Sequence, residues 1–149
     1  MRLSELARLR LTDVVLRAGQ ETTGRAHIRG RGRRDRLVRL NWKACEALTA
    51  YLAVRPADAA DDTVFVSRLR KGIGPRGIER LVAKYLTAAN IPNASVHALR
   101  HTYATHSALK GTSPGTLKDT LGVEDIAETT VYVGLAREEL ARQQEENAL

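Results

Sequence analysis

Apolar side chains along this chain recur mostly at helical spacing, interrupted near the start by short runs bounded by turn residues. Leu3, Leu6 and Leu9 make the inward stripe of a short first helix. Val14–Arg17, Arg25–Arg29 and Arg36–Leu40 read as short strands, separated by the turn-rich stretches Ala18–Gly24 and Gly30–Asp35. That arrangement predicts a small antiparallel sheet. Trp42, Cys45, Leu48, Thr49 and Leu52 return to helical spacing, which places Trp42 and Cys45 in a core stripe, with Pro56 just past the helix end. Asp58–Asp62 reads as a loop and Val64–Val66 as a short apolar stretch. Pro75 suits the first turn of the next helix, and Ile78, Leu81, Val82, Tyr85, Leu86 and Ala89 form its one-sided stripe, stopped by Asn90 and Pro92. Ser95 is the expected cap of a helix from about His97 to Lys110, ended by Gly111. Ser113-Pro114 starts another that stops at Gly122, and two short helical segments follow, around Tyr132 and over Ala136–Glu146. The predicted fold is mainly α with one small antiparallel β-sheet near the N-terminus, an α+β arrangement without repeats or low-complexity linkers.

Length and composition narrow what such a fold can be. A chain of 149 residues suits a single domain over residues 1–149. Hydrophobic residues at 43% with aromatics at 4% predict an aliphatic core. One cysteine, Cys45, leaves neither an internal disulfide framework nor a cysteine-based zinc site, and four scattered histidines make no metal-site argument. No apolar run is long enough for a membrane span, and Arg2, Glu5, Arg8 and Arg10 break up any leader-like start. The expectation is a soluble, cytoplasmic protein.

Charge sharpens the picture. Lys and Arg total 24 against 17 acids, a net charge of +7, and 19 of the 24 are arginine, whose planar fork suits phosphate oxygens. Arg25, Arg29, Arg31, Arg33, Arg34, Arg36, Arg39 and Lys43 face only Asp35 over residues 25–43. Arg68, Arg70, Lys71, Arg76, Arg80 and Lys84 form a second block, whereas the tail from Glu124 is acidic. A solvated face would intermix the signs, so the two blocks point to a surface for a polyanion. Of these, Arg25, Arg29, Arg33, Arg34, Arg36, Arg68, Arg70 and Lys71 are the candidates to position phosphates without reading sequence. A generic RNA-binding module would need exposed aromatics for base stacking, and the six aromatics here lie mostly on apolar stripes.

His97-Ala98-Leu99-Arg100-His101 is the most informative stretch. At the start of a helix, His97 and Arg100 share a face and the dipole adds positive character there, which makes an anion site. Leu99 and Tyr103 would anchor the segment in the core. On the pentapeptide alone the plainer reading is favoured: surface histidines, with Arg100 paired to an acid. His27, His101 and His106 read as packing or solvent residues.

Two flanking stretches change that. Arg2-Leu3-Ser4-Glu5-Leu6 precedes the pentapeptide, and Leu121-Gly122 followed by Thr129-Thr130-Val131-Tyr132 comes after it. In that order and spacing, from Arg2 to about Glu139, the chain resembles the catalytic domain of the tyrosine recombinases, the phage-integrase family. The resemblance implies cleavage of one DNA strand by a tyrosine hydroxyl, leaving a 3′-phosphotyrosyl bond and a free 5′-hydroxyl, with no ATP, metal or other cofactor. It makes Tyr132 the nucleophile, activated by a cationic site rather than by a dedicated base. Arg2 and Arg100 would clamp the non-bridging oxygens, and His97 would hydrogen-bond the phosphate or help move a proton. Glu5 would orient an active-site group. The implied partner is double-stranded DNA, bound by a homo-oligomer that is a tetramer in the family; the isolated chain would be a monomer. The acidic tail with Leu135 and Leu140 would pack into a neighbouring copy or onto its own chain.

Two positions depart from the family pattern. Ile28-Arg29-Gly30-Arg31-Gly32 aligns with V-x-G-K-G and sets Arg31 where a proton-donating lysine stands; a guanidinium holds its protons but still stabilises charge. Val123 stands where L-G-H carries a second histidine, and valine donates no hydrogen bond. On this resemblance the N-terminal helical DNA-clamp domain and the start of the first helix are expected to be absent, and affinity and site selection should then be weaker. Two readings remain: an isolated strand-cleaving and rejoining domain, and a DNA-binding remnant that has lost its chemistry. The type IB topoisomerases share the Arg, Lys, His and Tyr logic, but R-x-S-E-L with L-G-x and T-T-x-x-Y favours the recombinases.

Overall fold

The computed structural model describes residues 1–16, 23–30, 35–91 and 94–146. Helix α1 (Leu3–Ala7) leads through a 3-10 turn into a three-stranded antiparallel meander, β1 (Val14–Val15), β2 (Gly24–Ile28) and β3 (Arg36–Leu40). Val14 lies opposite Ala26, and Gly24 through Ile28 run opposite Leu40 through Arg36. Five helices complete the chain: α2 (Trp42–Val54), α3 (Pro75–Ala88), α4 (Val96–Leu109), α5 (Pro114–Leu121) and α6 (Ala127–Glu146). Local chemistry sets their starts. The Asn41, Ser95 and Ser113 side chains accept from the N–H groups of Ala44, Ala98 and Thr116, and Pro75 and Pro114 occupy first-turn positions. Among the described residues, no helix is long and apolar enough to cross a membrane.

The apolar interior has two centres. One joins the sheet to α2 through Leu9, Ala26, Ile28, Leu40, Cys45 and Val64. The other lies among α4, α5 and α6 and holds Ala104, Leu117, Leu121 and Tyr132. Thr129, fully buried, donates to the carbonyl oxygens of Pro114 and Ile126 at 3.1 and 2.7 Å, which pins the start of α6 to the start of α5.

Several expectations are corrected. The two short C-terminal segments are a single 20-residue helix, because Thr129, Tyr132 and Ala136 continue one buried stripe past Gly134. Tertiary packing there outweighs the roughly 1 kcal/mol that a mid-helix glycine costs. Leu99 and Tyr103 do not anchor α4; both are about half exposed, and the inward face carries Ala104 and the partly buried Arg100 instead. Trp42 opens α2 at the surface with the Lys43 ammonium over its ring, leaving Cys45 as that helix's buried residue. On α3 only Ile78 is buried, whereas Leu81 and Tyr85 face solvent. Strand β1 stops at Val15; Arg17, most of both predicted turns and Pro92 lie outside the described residues.

The second centre is a small core with little room to relax. Leu117→Ala should therefore cost about 2–5 kcal/mol in urea unfolding. Leu140→Ala, on the exposed side of α6, should stay within about 0.5 kcal/mol.

Candidate active site

Helix α5 ends at Gly122, which takes the left-handed conformation with φ 66°. A helix end leaves its last carbonyls without partners and concentrates the negative end of the dipole there. In this chain three arginines from three other elements fill that need. Arg36 of β3 donates through Nε to the Thr120 carbonyl at 3.1 Å, Arg100 of α4 through Nη2 to that of Leu121 at 2.8 Å, and Arg2 through Nη2 to that of Gly122 at 2.8 Å. A Cβ on Gly122 would sit 2.6 Å from the Arg36 guanidinium, so the close approach needs glycine as much as the positive φ does.

Glu5 balances part of this charge. Its carboxylate accepts both Arg36 nitrogens at 2.9 and 2.7 Å and the Arg2 backbone N–H at 2.6 Å. The side chains of the pair are 11% and 7% exposed. Glu5 therefore orients Arg36 and the Arg2 backbone. Burial alone would raise the Glu5 carboxyl; the hydrogen bonds from Arg36 and Arg2 outweigh it and hold the group below its ordinary value. Arg100 moves the other way for a cation. Burial lowers its pKa, Arg2 and Arg36 push in the same direction, and Glu5 and the Tyr132 phenol oppose them. Its Nη1 is buried and has no hydrogen-bond partner among the described residues. Three guanidinium groups and one carboxylate thus meet at the end of α5, with one buried donor that has no partner among the described residues.

Tyr132 enters from α6. Its ring packs in the second core with Ala104, Leu117 and Leu121, and its hydroxyl lies 2.9 Å from His101 Nδ1, the ring centroids 5.6 Å apart. His97, exposed at the start of α4, stacks obliquely one turn away, 6.2 Å from the His101 ring. An open cleft beside the arginines is lined by Arg2, Arg36 and Lys118 and by the acids Glu5, Asp35, Asp119, Glu124 and Glu128, together with Gly30, Gly122 and Val123. Arg31, with Arg33 and Arg34, lies outside the described residues; Gly30, just before it, donates its N–H to Asp35 at 3.1 Å. Val123 is half-buried against the second core, so this position presents an aliphatic side chain. Among the described residues, no group of three or more His, Cys, Asp or Glu side chains is placed to hold a metal ion.

The candidate phosphate-positioning residues divide. Arg25, Arg68 and Lys71 are exposed. Arg29 pairs with buried Asp13 at 2.9 Å, and Arg70 pairs with Asp58. Arg36 is no surface arginine; its guanidinium is committed to Glu5 and α5. His101, read from sequence as packing or solvent, is instead the hydrogen-bond partner of Tyr132. The signal available was its position, one turn after His97 and next to Arg100.

The phage integrase family model matches residues 1–139, nearly the whole chain. The chain belongs to that family. Among its relatives, tyrosine recombinase XerC of Pseudomonas fluorescens is 34% identical over 142 residues, covering 95% of this chain and 46% of the relative. XerC of Thermodesulfovibrio yellowstonii is 31% identical over 140 residues, covering 89% and 45%. The chain thus spans about half the length of the curated relatives it matches. The crystal structure of XerA recombinase matches with a TM-score of 0.79 and 31% identity, over 96% of this chain and 53% of that one. A structure of XerH site-specific recombinase matches with a TM-score of 0.80 over all of this chain and 42% of that one; at 22% identity it bears on the fold alone.

The Glu5–Arg36 pair gives this family member a test in solution. Replacing Glu5 by Gln should cost about 2–3 kcal/mol at pH 7, because it strips a mostly buried arginine of its counter-charge. A depressed carboxyl contributes stability that is complete above its unfolded value of 4.5 and is lost as pH falls through the lower folded value. Urea midpoints of wild type and Glu5→Gln should therefore converge below about pH 4.5.

Proposed function

We propose that this chain is the strand-cleaving and rejoining domain of a tyrosine recombinase, acting on double-stranded DNA through a 3′-phosphotyrosyl intermediate. The observation that carries the reading is the buried Nη1 of Arg100, which has no hydrogen-bond partner among the described residues. Tyr132 Oη attacks the phosphorus, the bond to the 5′ oxygen breaks, and the energy of the phosphodiester is kept in the new linkage, so rejoining reverses the step. Arg100 and Arg2 hold the non-bridging oxygens, and His97, at the exposed start of α4, reaches the same phosphate. The two guanidinium groups stabilise the second negative charge that develops in the pentavalent transition state. Arg31 adds charge where the family carries lysine. On DNA the domain works alongside further copies of itself, a tetramer in the family.

A second reading is favoured by Val123, whose side chain turns to the second core and offers the phosphate no donor. Loss of one such donor costs on the order of 100-fold in rate. In that reading the chain binds DNA without cutting it.

Covalent trapping in EDTA separates the two, using labelled duplexes from either side of the gene, since integrases commonly act near their own coding sequence. The recombinase reading expects a detergent-resistant adduct that is absent with Tyr132→Phe while DNA affinity is unchanged. Arg100→Ala should slow adduct formation by roughly 100- to 1,000-fold. Salt-sensitive binding with no adduct from the wild type would favour the remnant.

A further inference from the structure

We propose that His101 is a catalytic residue of this site, the group that holds the Tyr132 hydroxyl and takes its proton during attack; the inference rests on the recombinase reading and replaces the expectation that Tyr132 works without a dedicated base. The phenol oxygen is the reacting atom, and it lies within hydrogen-bond distance of Nδ1 of His101, at 2.9 Å. A buried ring fixed among Ala104, Leu117 and Leu121 holds that oxygen in place, and the 5.6 Å ring contact fixes the imidazole against it. A base needs this geometry first, heavy atoms within hydrogen-bond reach of the proton that moves.

The surroundings suit the role. His101 follows Arg100 directly, so one turn of α4 presents both a donor for the phosphate and an acceptor for the nucleophile's proton. The Tyr132 ring is buried while His101 is exposed, so the imidazole can exchange protons with water. His97, one turn earlier at 6.2 Å between rings, remains free for the phosphate.

The step balances as follows. The Tyr132 O–H donates to unprotonated Nδ1. As Oη bonds to phosphorus its proton passes to Nδ1, and the bond from phosphorus to the 5′ oxygen breaks with its electron pair on that oxygen, which takes a proton from water. In rejoining, the 5′-hydroxyl attacks and gives its proton to water, the bond from phosphorus to Tyr132 breaks, and Nδ1 returns its proton to Oη.

The test compares wild type and His101→Ala on the duplex that the wild type cleaves, made with either the natural 5′ oxygen or a bridging 5′ sulfur at the scissile position. Sulfur leaves without needing a proton, so it relieves a defect on the leaving side and not one on the nucleophile. The expected result is about a 100-fold slower adduct on both substrates, partial rescue by added imidazole, and unchanged DNA affinity, which also shows that the variant folds. A rate equal to wild type, or a defect that disappears with the 5′ sulfur, would overturn the proposal while leaving Tyr132 as nucleophile. Failure of the wild type to form any adduct would instead remove the recombinase reading, and this proposal with it. Nitrogen NMR of the four histidines needs no substrate: Tyr132→Phe should shift the Nδ1 resonance of His101, and an unmoved resonance would overturn the pairing.

Discussion

The C-terminal end of α5 is the constraint on which the rest of the site depends. Three successive carbonyls, of Thr120, Leu121 and Gly122, each accept from a different arginine, and those arginines come from the chain start, from β3 and from α4. Elements far apart in sequence are thereby brought to one point by the unfilled acceptors of a single helix. The junction also joins the two apolar centres, since β3 belongs to one and α4 and α5 to the other. Glycine at position 122 makes it possible, through its positive φ and through the space that Arg36 occupies.

Gathering like charges this way is unfavourable unless something answers them. Two unit charges about 4 Å apart repel by roughly 4 kcal/mol at a surface-like dielectric, more than the 0.5–1.5 kcal/mol a typical hydrogen bond contributes net. Glu5 answers one arginine, and the carbonyl dipoles answer part of the rest. What remains is a preorganised place for negative charge at the buried Nη1 of Arg100, which has no hydrogen-bond partner among the described residues. Such a site stores part of the binding energy for an anion in advance, which is what transition-state stabilisation asks of it.

Much of this was legible in the sequence, and the exceptions share a cause. The α+β arrangement followed from periodicity and from caps such as Ser95 and Ser113, which act locally. Arg2, Glu5, Arg100 and Tyr132 were candidates from motif order, and Arg2, Glu5 and Arg100 meet at one helix end. Periodicity could not say which of two partly apolar faces of α4 turns inward, so Leu99 and Tyr103 were misplaced and Ala104 went unnoticed. Nor could it separate Arg36, tied to Glu5, from neighbouring arginines of identical chemistry that stay exposed, such as Arg25. His101 was missed for the same reason. Its meaning comes from a tyrosine 31 residues away that only the packing of α4 on α6 brings within reach.

Protease digestion of the trapped adduct, followed by mass spectrometry of the nucleotide-bearing peptide, reads out directly whether Tyr132 bonds covalently to DNA at the site built on the end of α5. The expected product is a nucleotide joined through its 3′ phosphate to Tyr132 alone of the four tyrosines. Attachment to Tyr51, Tyr85 or Tyr103, to a serine, or through a 5′ phosphate would contradict it.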